Sequence, residues 1–175
     1  KVSRYITHIK RLQDVPQHLP LLYERIEPLR TKLAAFLWQL PPTFKADLSR
    51  LAGALEQVPR GERHAFEFRH PSWFTEETYT LLREHNVALV IADRPEIHEF
   101  QTHELTADFT FVRFHAGTRG RNGNYSHGEL DEWAERLRRW NEEADVFAYF
   151  NNDWEGYALE NARYMQNVLT PARAR

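Results

Sequence analysis

Residues 64–74 read HAFEFRHPSWF, and the first half of that stretch decides how the chain folds. His64–Phe68 has the length of a strand and is rich in aromatic side chains. Side chains alternate along a strand, so Ala65, Glu67 and Arg69 share one face while Phe66 and Phe68 take the other. The first face turns from small to charged toward its C-terminal end.

Working outward, four further runs repeat this behaviour: Leu33–Leu40 (LAAFLWQL), Val87–Ala92 (VALVIA), Phe109–His115 (FTFVRFH) and Val146–Phe150 (VFAYF). Their near-continuous apolarity predicts burial on both faces, as in a parallel sheet. Each also becomes polar where it ends. Leu37 is followed on its face by Gln39, Ile91 by Asp93, Phe111 by Arg113 and His115, and Tyr149 by Asn151. Lys1–Tyr5 reads as the tail of a sixth strand.

Helical patterns lie between the runs. A helix is expected over Gln17–Glu27, stopping near Pro28. Phe44–Gln57 puts Leu48, Leu51, Ala52 and Leu55 on one stripe. Thr75–His85 opens on a Thr cap with Glu76 and Glu77 in the first turn, where negative charge suits the helix dipole. Ser126–Glu143 opens on a capping box, Ser126-x-x-Glu129, and carries Leu130, Trp133, Leu137 and Trp140 on its stripe. Asp153–Leu169 is expected to be capped by Asp153, with Tyr157, Asn161, Tyr164, Met165 and Val168 facing inward. No helix is evident between Ala92 and Phe109.

Strands alternating with helices make an α/β fold with parallel strands. Open sheets and closed barrels share that alternation, but polar groups converging from several strand ends favour a (β/α)8 TIM-barrel-like architecture, whose active mouth is built this way. Such a barrel takes about 250 residues, against 175 here. The shortfall, on the order of 70 residues, and Lys1 in place of an initiating Met predict a single domain over 1–175 that is N-terminally incomplete.

Composition narrows the function classes. The chain is 42% hydrophobic and 13% aromatic, which argues for a packed core. With 23 Lys+Arg against 25 Asp+Glu the net charge is −2, so no global basic field attracts nucleic acid. There is no cysteine, which removes disulfides, thiolate metal sites and a cysteine nucleophile and fits a cytoplasmic location. No apolar run approaches the roughly 20 residues of a membrane span and no signal peptide opens the chain, so no membrane partner is expected.

The segments SRYITHIKRL, FLWQLPPTF, AFEFRHPSWF, VRFHAG, YSHGEL and FNNDWEGYALENA run through nearly the whole chain. Together they resemble the YecE-like family (domain of unknown function 72), bacterial and archaeal proteins with a TIM-barrel fold. QLPP, ExRHPSW and FNND in combination carry the likeness. The resemblance implies a barrel lacking its first two strand–helix units; it implies no reaction.

The candidate chemistry lies at the strand ends. Glu67 and Arg69 are predicted to act as a catalytic pair, or else to form an inert buried ion pair. His115 and Arg113 form a second candidate catalytic pair, with the histidine suited to proton transfer. His8, Gln39, Asp93, Asn151 and Asn152 complete the expected ring of substrate-binding residues. The loop Ala116–Tyr125 (AGTRGRNGNY) adds Arg119, Arg121 and Tyr125, with glycines that let backbone N–H groups approach an anion. Trp73, Phe74, Tyr125 and Trp154 are candidates for stacking on a base or sugar, or for packing under helices. A divalent metal is a candidate cofactor, with His8, Glu67, Asp93, His115 and Asp153 as its ligand types.

These residues predict an enzyme acting on a small-molecule or phosphate-bearing, or nucleic-acid-related, substrate. The alternatives are a carbohydrate or small-metabolite enzyme using Glu67 as acid/base, and a non-catalytic module binding RNA or DNA. An open sheet edge that pairs with another chain is a further expectation, and the oligomeric state stays open.

Overall fold

The computed structural model describes residues 1–94 and 97–170. Its five strands form a parallel sheet in chain order: β1 (Phe36–Gln39), β2 (His64–Glu67), β3 (Ala88–Asp93), β4 (Phe109–Phe114) and β5 (Asp145–Phe150). The helices are α1 (Val15–Ile26), α2 (Leu48–Leu55), α3 (Glu76–Glu84), α4 (His127–Trp140) and α5 (Tyr157–Leu169). None of the described helices is long and apolar enough to cross a membrane. The chain divides into two compact units, residues 1–90 with 104–107 and residues 91–103 with those from 108 on.

In the first unit β1 pairs with β2 in the register Trp38↔Phe66 and Gln39↔Glu67. The alternation read from the sequence therefore holds. Trp38 and Phe66 stack on the helix side, 5.3 Å apart and 3° from parallel, and both are fully buried. Trp38 Nε1 donates to His64 Nδ1 at 3.0 Å, which satisfies an indole N–H sealed from water. Burial alone pushes the pKa of His64 down to about 4. Trp73 lies in the same core, stacked 4.7 Å from Phe68, with Nε1 donating to the Phe44 carbonyl at 2.8 Å.

Three expectations change here. Lys1–Tyr5 is no strand: a single backbone bond ties Val2 N to Leu37 O at 2.9 Å. A π-helical turn, Tyr5–Ile9, then follows, with Lys10 N bonded to Tyr5 O at 2.8 Å. α2 begins later than expected because Asp47 caps it, its side chain accepting from Arg50 N. With that start Ala54 joins Leu51 and Leu55 in the core, and Leu48 is exposed. α3 starts at the expected Thr75 cap, and α1 starts two residues early and gives way to a 3-10 turn that takes up Pro28.

The second unit pairs β4 with β5 in the register Phe111↔Phe147 and Arg113↔Tyr149. One face packs under α4: Phe114 stacks on Phe150 at 4.4 Å and meets Trp133 edge-on at 5.0 Å. β5 is not buried on both faces as its apolarity predicts; Tyr149 is 44% exposed. Apolar aromatics here stack on their neighbours across the strand pair, Phe111 on Tyr149 at 4.7 Å, instead of being covered. α4 carries the full capping box between Ser126 and Glu129. α5 departs from expectation: a 3-10 turn, Trp154–Gly156, intervenes, and Gly156 at φ 84° is the N-cap. The Asp153 side chain caps nothing. Between Ala92 and Phe109 the described residues contain one 3-10 turn, His98–Gln101, and no α-helix.

Candidate functional site

β2 ends on Glu67, and the parallel register sets Gln39 beside it. Gln39 Nε2 donates to Glu67 Oε1 at 2.8 Å. Two residues on, Arg69 Nε donates to the same oxygen at 2.9 Å. A carboxylate out of water needs such partners, and Glu67 is 1% exposed. The guanidinium it holds is not sealed: the Arg69 side chain is 25% exposed. Lys1 completes the chain of donors, its Nζ bonding Gln39 Oε1 at 2.6 Å and so turning the amide nitrogen toward Glu67.

His8 belongs to the same unit, at the end of the π-helical turn. The Thr7 hydroxyl donates to Ser3 O at 3.2 Å and lies 2.9 Å from His8 Nδ1. With the hydroxyl proton spent on Ser3, the Nδ1–H of His8 is the donor to Thr7, and Nε2 keeps its lone pair. Burial lowers the His8 pKa, and the positive charges of Arg4, Lys1 and Arg69 lower it further, so the imidazole is neutral at pH 7. Gln39, Glu67, Arg69 and His8, singled out separately from the sequence, thus gather in one unit. Lys1 was missed; a lysine outside any strand-end pattern leaves no periodic signal.

The second unit gathers the others differently. Arg113 Nε donates to Asn151 Oδ1 at 3.0 Å, which joins two predicted residues on the open face of the β4–β5 pair. His115 continues from β4, its backbone N bonded to Asp93 O at 3.3 Å. Asp93 lies on the Leu89–Ile91 face of β3, the face whose β2 partner is Phe66. Its Oδ2 accepts from Tyr125 Oη at 2.7 Å. Burial, and next the Asp93 charge, push the Tyr125 pKa far up. Tyr125 is 2% exposed, and as a packed ring with its hydroxyl engaged it is closed to stacking on a ligand. Trp73 is closed in the same way, Phe74 packs edge-on against Phe68, and Trp154 is exposed.

The glycine loop has already taken an anion of its own. Glu129 Oε1 accepts from Thr118 N at 2.6 Å, Thr118 Oγ1 at 3.0 Å and Arg119 N at 3.0 Å, and Oε2 accepts from Ser126 N at 2.8 Å. Burial raises the Glu129 pKa, but the backbone N–H groups of Ser126, Thr118 and Arg119 outweigh it and hold the carboxyl at about 2. Two amides of the loop offered by the sequence to a ligand phosphate, those of Thr118 and Arg119, are therefore occupied. Gly117 and Gly120 serve the same internal fit: a Cβ at either would overlap the Asn124 carbonyl. Arg119 pairs with Glu132 at 2.8 Å, and Arg121 is exposed on the loop.

Asn152 is buried. Its Nδ2 donates to Asn161 Oδ1 at 2.8 Å and to Gly123 O at 3.3 Å, tying the end of β5 to the loop. Asn161 passes the link to Asn124 at 2.9 Å. Among the described residues no three His, Asp or Glu side chains come together as a metal-binding set.

Residues 1–175 match the family described as Protein of unknown function DUF72. The UPF0759 protein YunF of Bacillus subtilis (strain 168) is 29% identical over 166 residues, which cover 79% of this chain and 58% of that protein. The chain thus spans well under two thirds of that relative's length. The crystal structure of a DUF72 family protein from Thermotoga maritima MSB8 superposes with a TM-score of 0.81 at 28% identity, over 95% of this chain and 71% of that one. A DUF72 family protein from Enterococcus faecalis V583 gives a TM-score of 0.73 at 28% identity, over 86% of this chain and 67% of that one.

Proposed function

The chain belongs to the DUF72 family, and on that premise we propose that it is an enzyme acting on a phosphorylated or nucleic-acid-related substrate at the C-terminal ends of its strands. The carrying observation is the pair at the end of β2, a sealed Glu67 that holds a part-exposed Arg69. Ligands of parallel α/β proteins bind at the carboxyl ends of strands. We read the sheet as part of a (β/α)8 barrel on the same alternation of strands and helices, which makes the strand ends the working face.

The roles follow from exposure. Glu67, at 1% exposed, positions Arg69 and does not itself reach a substrate. Arg69 spends Nε on that bond, which leaves its planar Nη donors to take two oxygens of a phosphoryl group side by side. Lys1 adds a point charge nearby. His8, neutral and with Nε2 bearing the lone pair, is the general base for an attacking hydroxyl or water.

The test is turnover of a phosphomonoester, a phosphodiester and a short oligonucleotide by the protein and two variants. Arg69→Ala is expected to raise KM by at least about tenfold, as loss of a charge-assisted pair would. His8→Asn is expected to lower kcat by about a hundredfold. The wild-type rate rises with pH with its midpoint below pH 6.5, because burial and the neighbouring positive charges hold the His8 pKa below its usual 6.5. Turnover that is absent for every phosphate ester, or unchanged in both variants, refutes the reading.

A further inference from the structure

The second unit holds a cavity of about 440 Å3 that none of the preceding roles uses. That volume suits a small ligand. Its walls include Asp93, His103, Arg119, Glu132, Trp133 and Arg136. Taken one by one, their charges are answered except for one. Glu132 accepts from Arg119 Nη1 at 2.8 Å, and Asp93 accepts from Tyr125 at 2.7 Å. His103 packs edge-on against Trp133 at 6.0 Å. Burial lowers its pKa and the positive charges of Arg136 and Arg139 lower it further, so it is neutral at pH 7.

Arg136 is the exception. Its guanidinium lies 4.5 Å from the centre of the Trp133 ring. Among the described residues it has no hydrogen bond and no ion pair. A guanidinium over a ring face uses none of its five N–H donors for that contact. Burial and the neighbouring Arg139 depress its pKa, against the smaller opposing pull of Asp93 and Glu132. The acids of the lining, Asp93, Glu129 and Glu132, each accept from donors of their own, Tyr125, the Thr118 amide and Arg119, and none of them is bonded to the Arg136 fork.

We propose that this cavity binds a small oxyanion, a carboxylate or phosphate group of a small molecule, with Arg136 as the anchor held over the Trp133 ring. A planar guanidinium with free donors recognises such groups through two parallel N–H···O bonds. The site stands apart from the Glu67–Arg69 reading and does not depend on it.

The test titrates the protein with inorganic phosphate and, separately, with acetate, read by calorimetry and by the rise of Tm with ligand concentration. Saturable binding of at least one probe is expected. Arg136→Gln, which keeps part of the stem over Trp133, weakens it by at least about tenfold. Arg136→Lys retains part of it, since a point charge replaces the fork. Arg69→Ala removes at most a second, separate binding event and leaves the Arg136-dependent one unchanged, which separates this site from the one at β2. Far-ultraviolet circular dichroism establishes that each variant is folded, and where Arg136→Gln is not, the Arg136→Lys comparison decides. No saturable binding in the wild type, or binding of equal strength in the folded Arg136 variants, overturns the proposal. So does binding lost in Arg69→Ala and kept in Arg136→Gln.

Discussion

Three carboxylates are buried among the described residues, Glu67, Asp93 and Glu129, and two of them, Glu67 and Glu129, at 1% and 7% exposed, meet the cost of burial in opposite ways. Glu129 is answered by the backbone of its own neighbourhood, with donors from Thr118, Arg119 and Ser126. Glu67 is answered by side chains: Gln39 from another strand and Arg69 from two residues on. On our proposal the difference separates a structural carboxylate from a functional one. A carboxylate saturated by backbone N–H groups fixes a loop and has nothing left to offer. A carboxylate answered by a guanidinium positions that guanidinium, and Arg69 keeps donors and exposure for a third party.

The sharpest way to break the comparison is to remove each acid. Glu67→Ala is expected to cost about 3 kcal/mol, since deleting one partner of a buried pair strands the other. Urea denaturation measures it, and a cost below about 1 kcal/mol would place Glu67 among dispensable polar groups. Glu129→Ala is expected to cost about 2 kcal/mol by leaving loop amides unanswered. Its loss is local, so hydrogen exchange should accelerate at residues 116–126 while the Trp38–Phe66 core stays protected.

The sign of the acid dependence follows from Glu129. Its folded pKa, about 2, lies below the usual 4.5. Its contribution is complete above pH 4.5 and drains away as pH falls toward 2. Glu129→Gln should flatten that part of the stability profile, and an unchanged profile would sink the assignment. The smallest effect is expected at Gln39→Ala, about 1 kcal/mol, because Arg69 still answers Glu67. A larger loss than for Glu67→Ala would reverse the order of dependence at the β2 end.

Much of the arrangement was legible because it is periodic or local. Alternation placed Glu67 with Arg69, and Tyr149 with Asn151, since a strand has a period of two. The Ser126–Glu129 spacing announced the cap of α4 because a capping box is written within four residues. What was not legible depends on contacts far apart in sequence or on a backbone angle. Nothing in the spacing says that Glu129 also reaches back to Thr118. Asp153 looked like a cap until the left-handed Gly156 took the position. Alternation fixes faces within β3, and only the Phe66↔Leu89 register relates them to β2. The apolarity of β5 reported stacking with β4, not burial on both sides.

The central claim is that the Glu67-held guanidinium of Arg69 receives an oxyanion. Soaking crystals of the wild-type protein in tungstate and locating the metal by its anomalous signal tests it most directly. The account predicts a tungstate within hydrogen-bond distance of the Arg69 Nη atoms, absent from crystals of Glu67→Ala. Occupied tungstate sites elsewhere with none at Arg69, or a site at Arg69 unaffected by Glu67→Ala, would contradict it.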